Sequence, residues 1–394
     1  MATLQKLPSA SLPRPYGPRA GQTAFDRVRH WLRRFLFSDY FILYISIGYF
    51  VILALGLISK DTKTIYEPLN LTNMLSNVWP LLAIAVGQTA VLLIGGIDLS
   101  QTSIMAITSV AGAVIMSSKV DPVLFEKSPL WGTMLTENGG LLGGYDYAWV
   151  AAVLVMLLIG LLIGLLNGLA ITRFNMPPFM VTLVSMSFFS ALAIYLVKTE
   201  NVRNLPEAYI NLGKGDLISV YLGEKVKEIS RRDVLSLITY PAMIAAALAL
   251  VMNILLTKTV FGRQVYAVGT NRRTARVSGV PTVRVTIMVY MLSGLCAAVA
   301  GILYSARLEG GRPTLGENML LNVVGATVIG GTSLFGGKGK IKWTFFGVIF
   351  FVLLENSLTK MNLSAFYIDI VKGSIILLAA LVDVTRTRLL AQER

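Results

Sequence analysis

The chain has 394 residues, 55% of them hydrophobic and only 14% charged, with a mean hydropathy of +0.67. Soluble domains carry about 25% charged residues, so there is too little polar surface here for a water-soluble particle, and the chain reads as an all-α polytopic membrane protein. The net charge of +14 does not indicate nucleic acid, because the basic residues sit in short clusters between apolar runs. The single cysteine, Cys296, and single histidine, His30, exclude an internal disulfide, a Cys/His zinc site and most histidine catalysis.

Residues 1–37 are rich in Pro, Ser and Arg and read as a basic, disordered cytosolic tail. No cleavage site with small residues follows the first apolar run, so the start is not a signal peptide. A transmembrane domain is expected over 38–384 and a short cytosolic tail over 385–394. Apolar stretches near 38–58, 75–95, 102–118, 149–172, 177–198, 236–257, 285–306, 318–335, 343–361 and 366–384 predict about ten transmembrane helices.

Charge orients them. Lys258, Arg263, Arg272, Arg273, Arg276 and Arg284 follow the sixth span; Lys338, Lys340 and Lys342 follow the eighth; Arg386 and Arg388 follow the tenth. The loops at 119–148 and 199–235 mix signs. The positive-inside rule then puts both termini in the cytosol. An internal repeat is also visible. Gly95-Gly96-Ile97 and the following AITSVAGAVI correspond to Gly310-Gly311-Arg312 and LLNVVGATVI. Spans two to five would match seven to ten with opposite orientation, the inverted repeat common in transporters.

Several segments are candidates for function. In Gly95 to Ser100, glycines and Asp98 interrupt apolar helices, as at broken helix ends near a cavity, with Asp98 or Ser100 as N-cap of the next helix. Gly160, Gly164 and Gly168 lie four apart and read as a packing face. Gln88, Asp98, Ser100, Asn167, Phe179, Asn322 and Asn356 are the candidates for lining a solute path. Glu355 is the deepest ionisable group, and pairing with Lys372 is favoured over a proton relay. The segment 258–284 is too polar to be buried. Thr270 or Asn271 can cap a short helix there that Gly279 and Pro281 stop, suited to a groove on a motor protein. Gly336-Gly337-Lys338-Gly339 fails the phosphate-loop pattern, because Thr332 replaces the first glycine and Gly339 the final Ser/Thr.

Four stretches carry a resemblance: IGGIDLS from Ile94, NGLAITRFNMPPFMVTL from Asn167, FGRQVYAVGTNRRTARVSGVPTVRV from Phe261 and GATVIGGTSLFGGKGK from Gly325. In order and spacing they resemble the ribose/xylose/galactose-type permeases of ATP-binding cassette (ABC) importers. The resemblance implies a multi-pass permease of the bacterial inner membrane with a type II fold, similar to vitamin B12 importer permeases. It implies no enzyme site or cofactor in this chain, with ATP and Mg bound by partner ABC ATP-binding proteins. The other implied partners are a second permease copy or close paralogue, a periplasmic sugar-binding protein and membrane lipids. Coupling to the ATPase would fall on Gly269, Thr270, Asn271, Arg272, Arg273, Ala275, Arg276, Ser278 and Gly279. Two departures stand out: Gln101-Thr102 replaces the usual Val-Gly, and Glu355 occupies a position where a neutral residue is common. A secondary transporter driven by an ion gradient is the alternative; it would need a buried carboxylate essential for coupling.

Overall fold

The computed structural model describes residues 68–221 and 234–392, together with 44, 47 and 48. The 1–37 tail and the 38–58 span lie outside these residues, apart from those three positions. Thirteen helices and two small hairpins follow one another among the described residues. They are α1 (Pro68–Leu93), α2 (Gln101–Met116), α3 (Pro122–Phe125), β1 (Leu135–Thr136), β2 (Gly139–Gly140), α4 (Ala148–Arg173), α5 (Pro178–Val197), α6 (Glu207–Lys214), β3 (Asp216–Tyr221) and β4 (Val234–Thr239). Then come α7 (Tyr240–Lys258), α8 (Val260–Thr270), α9 (Arg272–Val277), α10 (Thr282–Arg307), α11 (Leu320–Ile329), α12 (Ile341–Lys360) and α13 (Ala365–Gln392). A 3-10 turn, Glu317–Met319, leads into α11.

Local chemistry sets the boundaries. Pro178 opens α5, where its missing N–H leaves no bond unmade. Thr239 Oγ1 accepts the Ala242 N–H at 3.2 Å to cap α7, and Thr259 Oγ1 accepts the Gly262 N–H at 3.2 Å to cap α8. Seven of the described helices are long and apolar enough to cross a membrane: α1, α4, α5, α7, α10, α12 and α13. The third and eighth expected spans differ. At 1.5 Å per residue, the 16 residues of α2 reach about 24 Å and the 10 of α11 about 15 Å, short of the ~30 Å hydrocarbon core. Their apolar runs are cut by backbone that cannot stay helical: Gly95 has φ +74° before α2, and Gly331 has φ +80° after α11. Helix α13 also continues through the stretch expected as a C-terminal tail.

The packing repeats itself. Helix α1 lies against α10 at the centre. Around them, α2 packs on α4 and α5, and α11 packs on α12 and α13 in the same way. Across the centre, α10 meets α2 and α4 while α1 meets α11 and α12. Thus α1, α2, α4 and α5 occupy places equivalent to α10, α11, α12 and α13. The tightest seam is α4 on α10: a Cβ on Gly160 would overlap the Gly294 carbonyl, one on Gly164 the Tyr290 carbonyl, and one on Gly168 would come within 2.8 Å of Ile287 Cα. Small residues let these backbones touch, which supplies the close van der Waals contact that holds helices together in lipid.

Hydrogen bonds sort the connections into two ends. At one, Gly337 N–H donates to the Leu93 carbonyl, Thr182 Oγ1 to that of Ile97, and Tyr266 OH to that of Gly339. At the other, Ser117 Oγ donates to the Arg203 carbonyl and Val202 exchanges backbone bonds with Gly311. Lys258, Arg263, Arg272, Arg273, Arg276, Arg284, Lys338, Lys340 and Lys342 all belong to segments of the first, basic end. The opposite end has a cavity of about 350 Å³ lined by Asn73, Ser76, Asp216, Ser236 and Arg307 among others.

Candidate functional site

At the basic end α8 stops at Asn271, whose extended backbone turns the chain and whose Oδ1 accepts the Thr274 N–H at 3.0 Å to start α9. Thr270 does not cap; its hydroxyl donates to the Tyr266 carbonyl at 2.8 Å. Ala275 is buried and pins α9, while Arg272, Arg273, Arg276, Ser278 and Gly279 are exposed. Gly279, at φ +81° with open space around it, ends the segment.

This segment is joined to two glycine-rich breaks. Gly269 lies so close to the end of α1 that a Cβ would overlap the Leu93 carbonyl, and it would come within 2.6 Å of Gly337 N. Gly337 N–H bonds to that same Leu93 carbonyl at 2.8 Å. Tyr266 OH donates to the Gly339 carbonyl at 2.7 Å; burial raises its phenol above the usual range, so it remains a donor. Gly95, Gly336 and Gly337 all have positive φ, which makes this three-way approach possible without strain. Position along the chain gave no sign that residues near 93, 269 and 337 meet.

Of the residues expected to line a path, the structure brings three together, in a buried network instead of a cavity. Asp98 Oδ1 accepts from Ser100 Oγ at 2.6 Å and Ser100 N–H at 3.0 Å; Oδ2 accepts from Ser293 Oγ at 2.6 Å. Each hydroxyl in turn accepts an amide, Ser100 from Asn167 Nδ2 and Ser293 from Gln101 Nε2, both at 2.8 Å. All five residues are buried. The capping expectation is corrected: Ser100 occupies the N-cap of α2 but makes no capping bond, its backbone being helical and its oxygen accepting from Asn167 Nδ2 instead. Ser293 and Gln101 were missed. A serine inside the apolar α10 run was the available signal for the first, and the Gln101 departure for the second.

The other path candidates lie apart. Gln88 is fully buried in α1, and neither of its amide atoms has a partner. Asn356 exchanges amide bonds with Asn70, at 3.0 and 3.2 Å, tying α12 to α1. Asn322 Nδ2 donates to Glu355 Oε2 at 2.9 Å, and Lys372 Nζ is 3.3 Å from Glu355 and 3.9 Å from Asp369. Glu355 is therefore a paired group linking α11, α12 and α13. Phe179, at the start of α5, is 53% exposed, and Phe366, at the equivalent place on α13, is 81% exposed.

Over residues 70–380 the chain matches the family described as "Branched-chain amino acid transport system / permease component". The chain belongs to this permease family. Its family relatives include a ribose import permease protein of Bacillus subtilis, 36% identical over 339 residues, covering 86% of this chain and 91% of the relative. An L-arabinose ABC transporter permease protein of Azospirillum brasilense is 30% identical over 326 residues, covering 83% of each chain. A ribose import permease protein of Escherichia coli K12 is 30% identical over 336 residues, covering 84% of this chain and 91% of the relative. No solved structure matches the chain. The permease family, and sugar ABC permeases among its relatives, agree with the resemblance carried by the IGGIDLS, NMPPF, TNRRTARVSG and GGTSLFGGKGK stretches.

Proposed function

We propose that this permease is the membrane subunit of an ABC importer that carries a pentose or similar sugar across the bacterial inner membrane by alternating access. The observation that carries the reading is the junction of α8–α9 with the end of α1 and the 331–340 loop, on the end with the basic residues. An exposed capped helix that rests on the ends of membrane helices suits a part pushed from outside the membrane. The sugar class comes from the ribose and L-arabinose permeases among the relatives.

The subunit would work as two copies, or one copy and a close paralogue, above two ATP-binding proteins and below a periplasmic sugar receptor. The positive-inside rule supports cytosolic termini, and the resemblance supports a ten-span, type II arrangement with an inverted repeat. The equivalent packing of α1, α2, α4, α5 and α10, α11, α12, α13 supports the same repeat. The little-buried helices α5 and α13, which begin at exposed Phe179 and Phe366, are the surfaces offered to the second copy. A gradient-driven carrier finds no support at Glu355, which is paired with Lys372.

The test is reconstitution in vesicles with the ATP-binding subunit and receptor, with ribose and L-arabinose as solutes. Uptake should require ATP and every component. Arg276→Glu should leave insertion intact and let ATP hydrolysis continue while uptake falls. Accumulation by the permease alone would refute the proposal.

A further inference from the structure

The loop between α11 and α12 combines a fixed backbone with an exposed aromatic ring. Ser333 N–H bonds to the Lys338 carbonyl at 2.9 Å, closing residues 333–338 into a tight turn. Ser333 Oγ donates to Asp383 Oδ2 of α13 at 2.9 Å and accepts the Phe335 N–H at 3.3 Å. Gly337 N–H and the Gly339 carbonyl are held from the other side by Leu93 and Tyr266. The turn is thus anchored to α1, α8 and α13. At its tip Phe335 is 60% exposed, beside exposed Lys338. A ring on a mobile loop can fold back onto apolar surface; this one is held out.

A lipid-facing aromatic needs no such scaffold, since any side chain at that depth meets apolar solvent. A rigid aromatic beside basic groups has the character of an interface anchor, because the ordering cost of presenting the ring is already met. The loop is also continuous with the α8–α9 segment: a Cβ on Gly336 would lie 2.9 Å from the Gly269 carbonyl, and one on Gly337 2.9 Å from Thr270 Oγ1. On that segment Val277 is 84% exposed, flanked by Arg273 and Arg276.

We infer that Phe335 is a second docking point on the ATP-binding subunit, seated next to α9, so that the motor grips the α11–α12 loop as well as the α9 helix. The inference rests on the ABC permease reading. Both points belong to the half built from α10–α13, and the segments that carry them meet the end of α1 at Leu93.

Cys296 is buried and is the chain's one cysteine, so Phe335→Cys and Val277→Cys each create a single accessible thiol. Each variant, in membranes holding the whole transporter, is labelled with a benzophenone maleimide and irradiated, and adducts are identified by mass. Position 335 should join to the subunit carrying the G-x-x-x-x-G-K-[ST] loop. Motor adducts from 277 with only lipid adducts, or none, from 335 would overturn this inference and leave the coupling segment standing. No motor adduct from either position would overturn both. Adducts from 335 alone would uphold the docking point and remove α9 as the main contact. Independently, Phe335→Ala should weaken retention of the motor by about 10-fold, as expected on truncating an aromatic anchor; unchanged retention would overturn the inference.

Discussion

Ser293→Ala tests the reasoning behind the buried network most directly. Ser293 Oγ donates to Asp98 Oδ2 at 2.6 Å and accepts from Gln101 Nε2 at 2.8 Å, and all three side chains are buried. The substitution removes one hydrogen bond to a charged acceptor, worth roughly 1.5–3 kcal/mol, and leaves the buried Gln101 amide with only its longer bond to the Ile84 carbonyl, at 3.4 Å. The sum is about 3 kcal/mol, which lowers a thermal midpoint by roughly 5 °C for a domain of this size. A double-mutant cycle with Asp98→Ala isolates the bond: with the carboxylate absent, Ser293→Ala should cost about 2 kcal/mol less. The readout is the thermal unfolding midpoint of the purified permease and its two single and one double variants. Equal losses from Ser293→Ala with and without Asp98 would refute the claim that the two side chains act together.

Gly160→Ala or Gly294→Ala should destabilise the α4–α10 seam by about 1–3 kcal/mol each, since either Cβ overlaps the facing carbonyl. The double variant should lose less than the sum, because one separation of the helices relieves both overlaps; full additivity in a thermal assay would count against the seam. Glu355→Gln should keep uptake dependent on ATP and lower stability, because nearly buried Lys372 loses its nearest partner. Lys372→Met added to it should recover that stability, and uptake driven by an ion gradient in either variant would reverse the assignment. Gly269→Val should separate α8 from α1 and reduce uptake by about 10-fold, the scale expected for a misplaced moving part, while ATP hydrolysis continues.

The parts of the fold that were legible in the sequence are those written in local periodicity. Glycines four apart on α4 announced a packing face, and the apolar stretch at 177–198 announced α5. Loop charge separated the basic end from the mixed end. The short third and eighth helices were less legible, because hydropathy counts apolar residues and does not register that Gly331 has left helical backbone. The candidate site was half legible. Asp98, Ser100 and Asn167 stood out as polar groups in apolar surroundings, yet the Ser293 partner is 195 residues from Asp98. No spacing rule connects residues so far apart. The contact of Gly269 with Leu93 and Gly337 was hidden for the same reason, with the added difficulty that two of its members are glycines, whose contribution is the absence of a side chain.

The division between rigid and adjustable parts follows from where the polar bonds fall. Helices α1 and α10, the central pair, carry polar bonds at several levels. At the basic end α1 is held through Leu93, and part-way along α10 Ser293 ties that helix to Asp98 and Gln101. At the opposite end, Asn70 pairs with Asn356, and Arg307 of α10 bonds to Asn77 of α1. A displacement of α8–α9 is therefore passed first to the end of α1, which packs along α10. Helices α5 and α13 lie mostly outside this fastening, with little of their surface buried. They meet the core largely through α2 and α11, the two short helices beside glycine breaks. If the permease opens and closes between two copies, the change of angle is absorbed at those breaks and expressed at α5 and α13, the helices tied to the core mainly through the short helices beside them.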